Sequence, residues 1–262
     1  LVGFLGNRIV ATEKDLALIE QDFSSPQIPE QPTFVSDYTE FLMDTLVAQS
    51  VHTASPGFVG HMTTALPSFM LPLSRIMTAL NQNLVKIETS KAFTPMERQV
   101  LGMLHALIYN NDDTYYQTWM HNADSALGAF CSGGTLANIT ALWVARNKLF
   151  PACEGFRGIA REGFHKALKH YNCEGVAVLI SKRGHYSFGK AADVLGIGRD
   201  SIVAIPTDSD NKIDIDQLLS TIKQLKQQGI KILSLVGIAG TTETGNVDPL
   251  DGLAHLAAGD GC

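Results

Sequence analysis

Residues 175–180 read GVAVLI, and residues 231–238 read KILSLVGI. Both are short apolar runs rich in Val, Ile and Leu, and a third, residues 201–205 (SIVAI), lies between them. Helical signals separate the three. One helix starts near Ser187, one is capped by Asp214 and ended by Gly229, and one begins near Pro249. Short apolar strands alternating with helices predict an α/β fold with a mostly parallel sheet covered on both faces.

Outward from this core, Ser132-Gly133-Gly134 forms a turn that leads into a predicted helix over 135–149. Its residues are small and apolar nearly all round, as for a helix buried beside a sheet. Residues 157–170 are predicted as a further helix. The first third reads as helices joined by Pro-marked loops. Thr12 caps a helix to Phe23, and another runs over 36–49. Thr94-Pro95-Met96-Glu97 opens a third with a capping box, its buried face made of Val100, Leu101, Leu104, Leu107 and Ile108. Residues 24–33 are a connector, and 51–67 (VHTASPGFVGHMTTALP) a loop. A soft boundary near residues 85–90 divides the helical front from the α/β part.

The chain has 262 residues, a formal net charge of −6 and no Lys/Arg run, which argues against a nucleic-acid surface. No stretch of 18 apolar residues is present for a membrane-spanning helix. Cys131, Cys153, Cys173 and Cys262 form neither a CxxC pair nor a zinc-site spacing, so no metal is expected. Free thiols fit a reducing compartment, and cytoplasm is the expected location. Asn138-Ile139-Thr140 matches a glycosylation pattern but falls inside an apolar helix, where it reads as chance.

Three segments carry candidate chemistry. Gly133 and Gly134 let the backbone approach an anion at a helix N-terminus, with the Thr135 hydroxyl beside it; the alternative is an ordinary glycine turn. His185 follows the 175–180 strand, at the carboxyl edge where α/β sheets place ligands. It can stack on a flat ligand or handle a proton, or be a surface residue. Residues 240–245 (GTTETG) follow the 231–238 strand and present several hydroxyls; the alternative is a polar connector. Three ligand-capable loops on one sheet edge describe a single crevice more easily than three coincidences.

Residues 131–147 (CSGGTLANITALWVARN), 181–198 (SKRGHYSFGKAADVLGIG) and 237–250 (GIAGTTETGNVDPL) resemble, in this order and spacing, the group II pyridoxal-phosphate decarboxylases, the glutamate decarboxylase-like enzymes. Residues 57–67 (GFVGHMTTALP) and 88–104 (ETSKAFTPMERQVLGML) extend the match over nearly the whole chain. Within the family, the sequence is most similar to the bacterial pyridoxal-dependent aspartate 1-decarboxylases.

The resemblance implies an aspartate-aminotransferase-like (type I) large domain and pyridoxal 5'-phosphate as cofactor. It divides the chain into a helical N-terminal segment with a substrate-admitting loop, 1–88, and a partial cofactor-binding domain, 89–262. Gly133, Gly134 and Thr135 would hold the phosphate. His185 would stack on the pyridine ring and serve at Cα, and Thr241 and Thr242 would contact the cofactor. Thr63 and His61 would lie near the substrate in a composite site of a homodimer. The implied reaction is decarboxylation of an acidic amino acid, L-aspartate to β-alanine or L-glutamate to GABA.

The alternatives are L-2,4-diaminobutyrate decarboxylation, another type I reaction such as transamination, or a non-catalytic dimerisation module. The family's pyridine-nitrogen Asp and Schiff-base Lys fall beyond Cys262 on this pattern. The chain by itself is therefore expected to be inactive, and His165-Lys166 is read as a helical dipeptide rather than the Schiff-base site.

Overall fold

The computed structural model describes residues 2–60 and 62–260, the last of these through its backbone. The chain divides into two compact units, Leu1–Thr94 and Pro95–Cys262.

In the second unit the three apolar runs become strands β1 (Gly175–Ser181), β2 (Ile202–Ile205) and β3 (Ile230–Val236). They form a parallel sheet in the order β2-β1-β3. Central β1 is apolar from Val176 to Ile180 because both of its faces are covered. Val176 and Val178 pack with Leu142, Phe150, Ala167, Ala191 and Ala192 on one side. Ala177 and Leu179 pack with Ile205, Leu218, Ile222 and Leu253 on the other. Full burial of an aliphatic side chain such as Val or Leu is worth roughly 1.5–3 kcal/mol, and Val176 to Leu179 contribute alternately to two cores. Ala177 pairs with Ile232 but Val178 pairs with Ser234, so β3 carries Leu233 as an extra, bulged residue.

In chain order the helices of the first unit are α1 (Val2–Leu5), α2 (Leu16–Gln21), α3 (Val35–Phe41), α4 (Met70–Leu80) and α5 (Ile87–Ser90). Then come α6 (Phe93–Ile108), which spans the boundary, α7 (Asp113–Trp119), α8 (Gly134–Leu149), α9 (Ile159–Glu162) and α10 (Phe164–His170). Three complete the sheet's cover: α11 (Ser187–Val194), α12 (Ile215–Gln227) and α13 (Leu250–Asp260). The expected cap of α12 forms, with Asp214 Oδ1 accepting the Gln217 N–H at 3.0 Å. Gly229 ends that turn at φ 72°. No helix among the described residues is long and apolar enough to cross a membrane.

Several local expectations are corrected. The helix predicted over 157–170 is two short ones, because Gly163 adopts φ 80° between α9 and α10. Helix α8 is covered on one side only; Leu142 is buried, whereas Trp143 and Val144 are exposed. The apolar stripe on α6 is not a buried face: Leu107 is 82 % exposed and Ile108 76 %, and the residue buried is Gly102, tight against Met120. The stripe has the right period, but no core forms over it among the described residues. In the first unit Asp15, not Thr12, caps the early helix, accepting the Ala17 N–H at 2.8 Å. The Thr12 hydroxyl donates instead to Gln49 Oε1 at 2.6 Å. The helix over 36–49 is α3 followed by a π-helical turn, Leu42–Val47. Thr94 already lies inside α6, its hydroxyl against that of Ser90.

Asp248 ties the sheet's carboxyl edge together from within. Its Oδ1 accepts the Ile213 N–H at 2.8 Å, and its Oδ2 accepts the Ile238 N–H at 2.9 Å. The side chain is buried. Asp248→Ala strands one buried and one half-buried backbone donor and is expected to cost about 2–4 kcal/mol, measured by urea unfolding of the protein. A loss below about 0.5 kcal/mol would mean that water replaces the carboxylate without penalty.

Candidate active site

At the carboxyl edge of the sheet, the chain leaves β1 through a tight turn in which the Gly184 N–H donates to the Ser181 carbonyl at 2.7 Å. Only glycine fits there. A Cβ would collide with the Ile180 side chain and come within 2.9 Å of the Ser181 carbonyl oxygen. The turn delivers His185 to the surface, its ring 4.2 Å from that of Tyr186.

The second element is the N-terminus of α8. Gly133 occupies the cap position, and no side chain caps the helix. A Cβ added to Gly133 or Gly134 would meet nothing within 4 Å. The first turn holds no acid, and Arg146 and Lys148 stand in the last, so the positive end of the 16-residue helix dipole is left uncompensated. Thr135 is half-buried beside this opening.

The third element follows β3. Gly240 (φ 96°) and Gly245 (φ 69°) bend the loop back on itself, closed by an Ala239–Val247 bridge. Thr241 is buried, and its hydroxyl is engaged by the loop itself: 2.8 Å from the Thr244 Oγ1, and accepting the Asn246 N–H at 3.1 Å. Thr242 is exposed.

Side chains join these elements. Asn138, one turn into α8, donates through Nδ2 to Ser187 Oγ at 2.8 Å. Ser187 Oγ lies 2.9 Å from His185 Nδ1. Arg183 meets Glu243 Oε2 at 2.6 Å through Nη1 and Asn211 Oδ1 at 3.0 Å through Nη2. The His185 loop is thereby linked to the α8 terminus on one side and to the Thr241–Thr242 loop on the other. Arg183, Ser187 and Glu243 lie within or beside the candidate segments but were given no role from the sequence, and Asn138 and Asp248 were not among the candidates. Asn138 and Ser187 meet across 49 residues, a pairing that no local pattern signals. Thr63 is an exposed residue of the first unit, and His61 lies outside the described residues.

Lys166 lies in α10, a helix as the sequence predicts, and is paired with Glu162 at 3.1 Å. Hydrogen bonds from Arg157 and then Lys166 hold the Glu162 carboxyl below the usual carboxylate range. A cavity of about 460 Å³ lined by Phe164, His165, Gly175 and Ile230 opens at the opposite, amino edge of the strands, away from these loops. Cys131, Cys153 and Cys173 are free thiols, and no group of three metal-capable residues exists among the described residues.

Amides at a glycine-opened helix N-terminus, without a partner among the described residues, and a surface imidazole at the same sheet edge suit a flat, phosphate-bearing cofactor in an α/β enzyme. The pyridoxal-dependent decarboxylase conserved domain matches residues 16–262, and the chain belongs to that family. It is 61% identical over 259 residues to aspartate 1-decarboxylase of Aliivibrio fischeri, covering 99% of this chain and 47% of that protein. Among solved structures, mouse CSAD in its apo form matches with a TM-score of 0.81 and 25% identity, over 99% of this chain and 50% of that one. The glutamate decarboxylase domain of a diaminobutyrate-pyruvate transaminase and L-2,4-diaminobutyrate decarboxylase from Vibrio parahaemolyticus shares the fold, with a TM-score of 0.82 and 22% identity, over 98% and 52%. The chain spans about half the length of the curated relatives it matches.

Gly184→Ala is expected to lower stability by about 1–3 kcal/mol, because the new methyl meets backbone as well as side chain. Denaturant midpoints of the two proteins measure this.

Proposed function

We propose that this protein is a pyridoxal-phosphate-dependent decarboxylase of an acidic amino acid, with L-aspartate as its substrate. The 61% identity to aspartate 1-decarboxylase across 99% of the chain carries this reading. The geometry of the carboxyl edge agrees with it.

The free amides of Gly134 and Thr135, at the positive end of α8, would receive the cofactor phosphate, with the Thr135 hydroxyl adding a hydrogen bond. His185 would lie against the cofactor ring and exclude water from that face. Thr242 would reach the cofactor from the third loop. The Thr241 hydroxyl is engaged in shaping that loop, so we assign it the indirect part of holding Thr242 in place. Thr63 and His61 are assigned to the substrate side by the resemblance. Bound pyridoxal phosphate supplies the electron sink that allows the α-carboxylate to leave as carbon dioxide. The protein's task is to choose which bond at Cα breaks, by fixing the substrate carboxylate relative to the ring. Lys166, the one lysine preceded by His, is held by Glu162 and is not taken as the cofactor-bearing lysine.

We further read residues 89–262 as part of the cofactor-binding domain and 1–88 as a separate arm. The working form is read as a cytoplasmic homodimer; the exposed apolar stripe of α6 supports the dimer, and the free thiols of Cys131, Cys153 and Cys173 among the described residues support a reducing compartment.

Carbon dioxide release from L-aspartate, L-glutamate and L-2,4-diaminobutyrate, with and without pyridoxal phosphate, tests the reading on the full-length protein. The expected result is cofactor-dependent release, fastest from aspartate. A keto-acid product without carbon dioxide would replace it with transamination. The phosphate assignment has its own test. Gly134→Asp puts a carboxylate where the cofactor phosphate would sit. It should weaken pyridoxal phosphate binding at least tenfold, while leaving stability unchanged or raised by about 0.3–1 kcal/mol through the helix dipole. Absorbance titration and thermal unfolding read the two effects.

A further inference from the structure

Ser187 is the first residue of α11 and is fully buried, yet its hydroxyl touches two polar side chains. Asn138 Nδ2 can only donate to Ser187 Oγ, at 2.8 Å. The hydroxyl hydrogen is then left for His185 Nδ1, 2.9 Å away. The backbone N–H of Ser187 donates to the same ring nitrogen at 3.2 Å. Two donors converge on Nδ1, and a hydrogen on that nitrogen would point into both. The neutral ring therefore carries its hydrogen on Nε2, which meets no partner among the described residues. Turning the Asn138 amide over would take the Ser187 hydrogen toward Oδ1, but the backbone N–H would still keep Nδ1 an acceptor.

We propose that Ser187, steadied by Asn138, is a positioning residue that fixes the tautomer and tilt of His185, so that the ring offers an Nε2–H donor to the crevice. The backbone N–H selects the tautomer, and the Asn138–Ser187 pair holds the plane of the ring. Asn138 stands one turn from Gly134, so the same side-chain chain ties the orientation of the imidazole to the helix end that would hold the phosphate. The proposal rests on the reading of His185 as the residue against the cofactor ring, but its central statement concerns this chain's own atoms.

The test is a long-range proton–nitrogen NMR correlation of the histidine rings in the full-length protein, with and without pyridoxal phosphate. His185→Gln identifies the His185 signals. The expected spectrum shows Nε2 protonated and Nδ1 bare. Ser187→Ala should leave that tautomer in place, because the backbone donor remains, but shift the Nδ1 resonance. It should also lower kcat about tenfold with KM nearly unchanged, and Ser187→Thr should recover much of the loss.

A hydrogen on Nδ1 in the unsubstituted protein would overturn the proposal, however active the enzyme. So would a Ser187→Ala protein with the Nδ1 resonance and kcat both unmoved. The expected spectrum in a protein that releases no carbon dioxide from any amino acid would sink the proposed function and leave the tautomer assignment standing.

Discussion

The structure of the second unit depends on one strand being dry on both sides. β1 has no solvent face, so every residue from Val176 to Ile180 must meet a helix or a neighbouring strand. That requirement demands parallel partners on either side, since helices then serve as the crossovers and cover the faces they cross. It also determines where chemistry can be. With the faces occupied, the polar groups left over are the backbone donors and side chains of loops at the carboxyl ends of the strands, together with the amides of helix starts.

Three ties convert those loops into one surface. Asp248 binds the exit of β3 to the turn that follows β2, using two backbone donors on one carboxylate. Arg183 bridges the exits of β1 and β3. Asn138 and Ser187 lock α8 to α11 beneath His185. None of these residues needs to touch a ligand to matter. Their effect is to remove the freedom of the loops before anything binds, which reduces the entropy that binding must offset.

The strands, the order of the α/β elements and the helix caps at Asp214 and Gly229 were legible in the sequence because each is local. Apolar runs and turn residues report on their own neighbourhood. The positions of Gly133, Gly134 and Thr135 at a helix start and of His185 just after a strand were legible as well, since both are local patterns; their roles toward a cofactor are what we propose. What the sequence did not reveal required knowing which surface meets which. The α6 stripe has helical period but no cover among the described residues, and α8 is apolar on a side that stays exposed among them. Thr241 and Thr242 look equivalent as letters, yet one hydroxyl is engaged inside the loop and the other residue is open. Asn138 looked like a chance sequon because its partner, Ser187, is 49 residues away. The break at Gly163 was visible as a glycine, but a glycine within a helical pattern does not announce a positive φ.

The bulge at Leu233 has an effect beyond its own strand. Side chains along a strand point alternately to its two faces, so one inserted residue inverts the parity of everything downstream. Ile232 faces one core and Leu233 the other without a regular partner on β1 between them. Everything leaving the top of β3, from Gly237 through Thr242, therefore emerges half a pleat out of step with the strand's beginning. An alignment that closed this one-residue gap would keep the hydrophobic composition of the strand while turning the Thr242 loop toward the wrong side of the sheet.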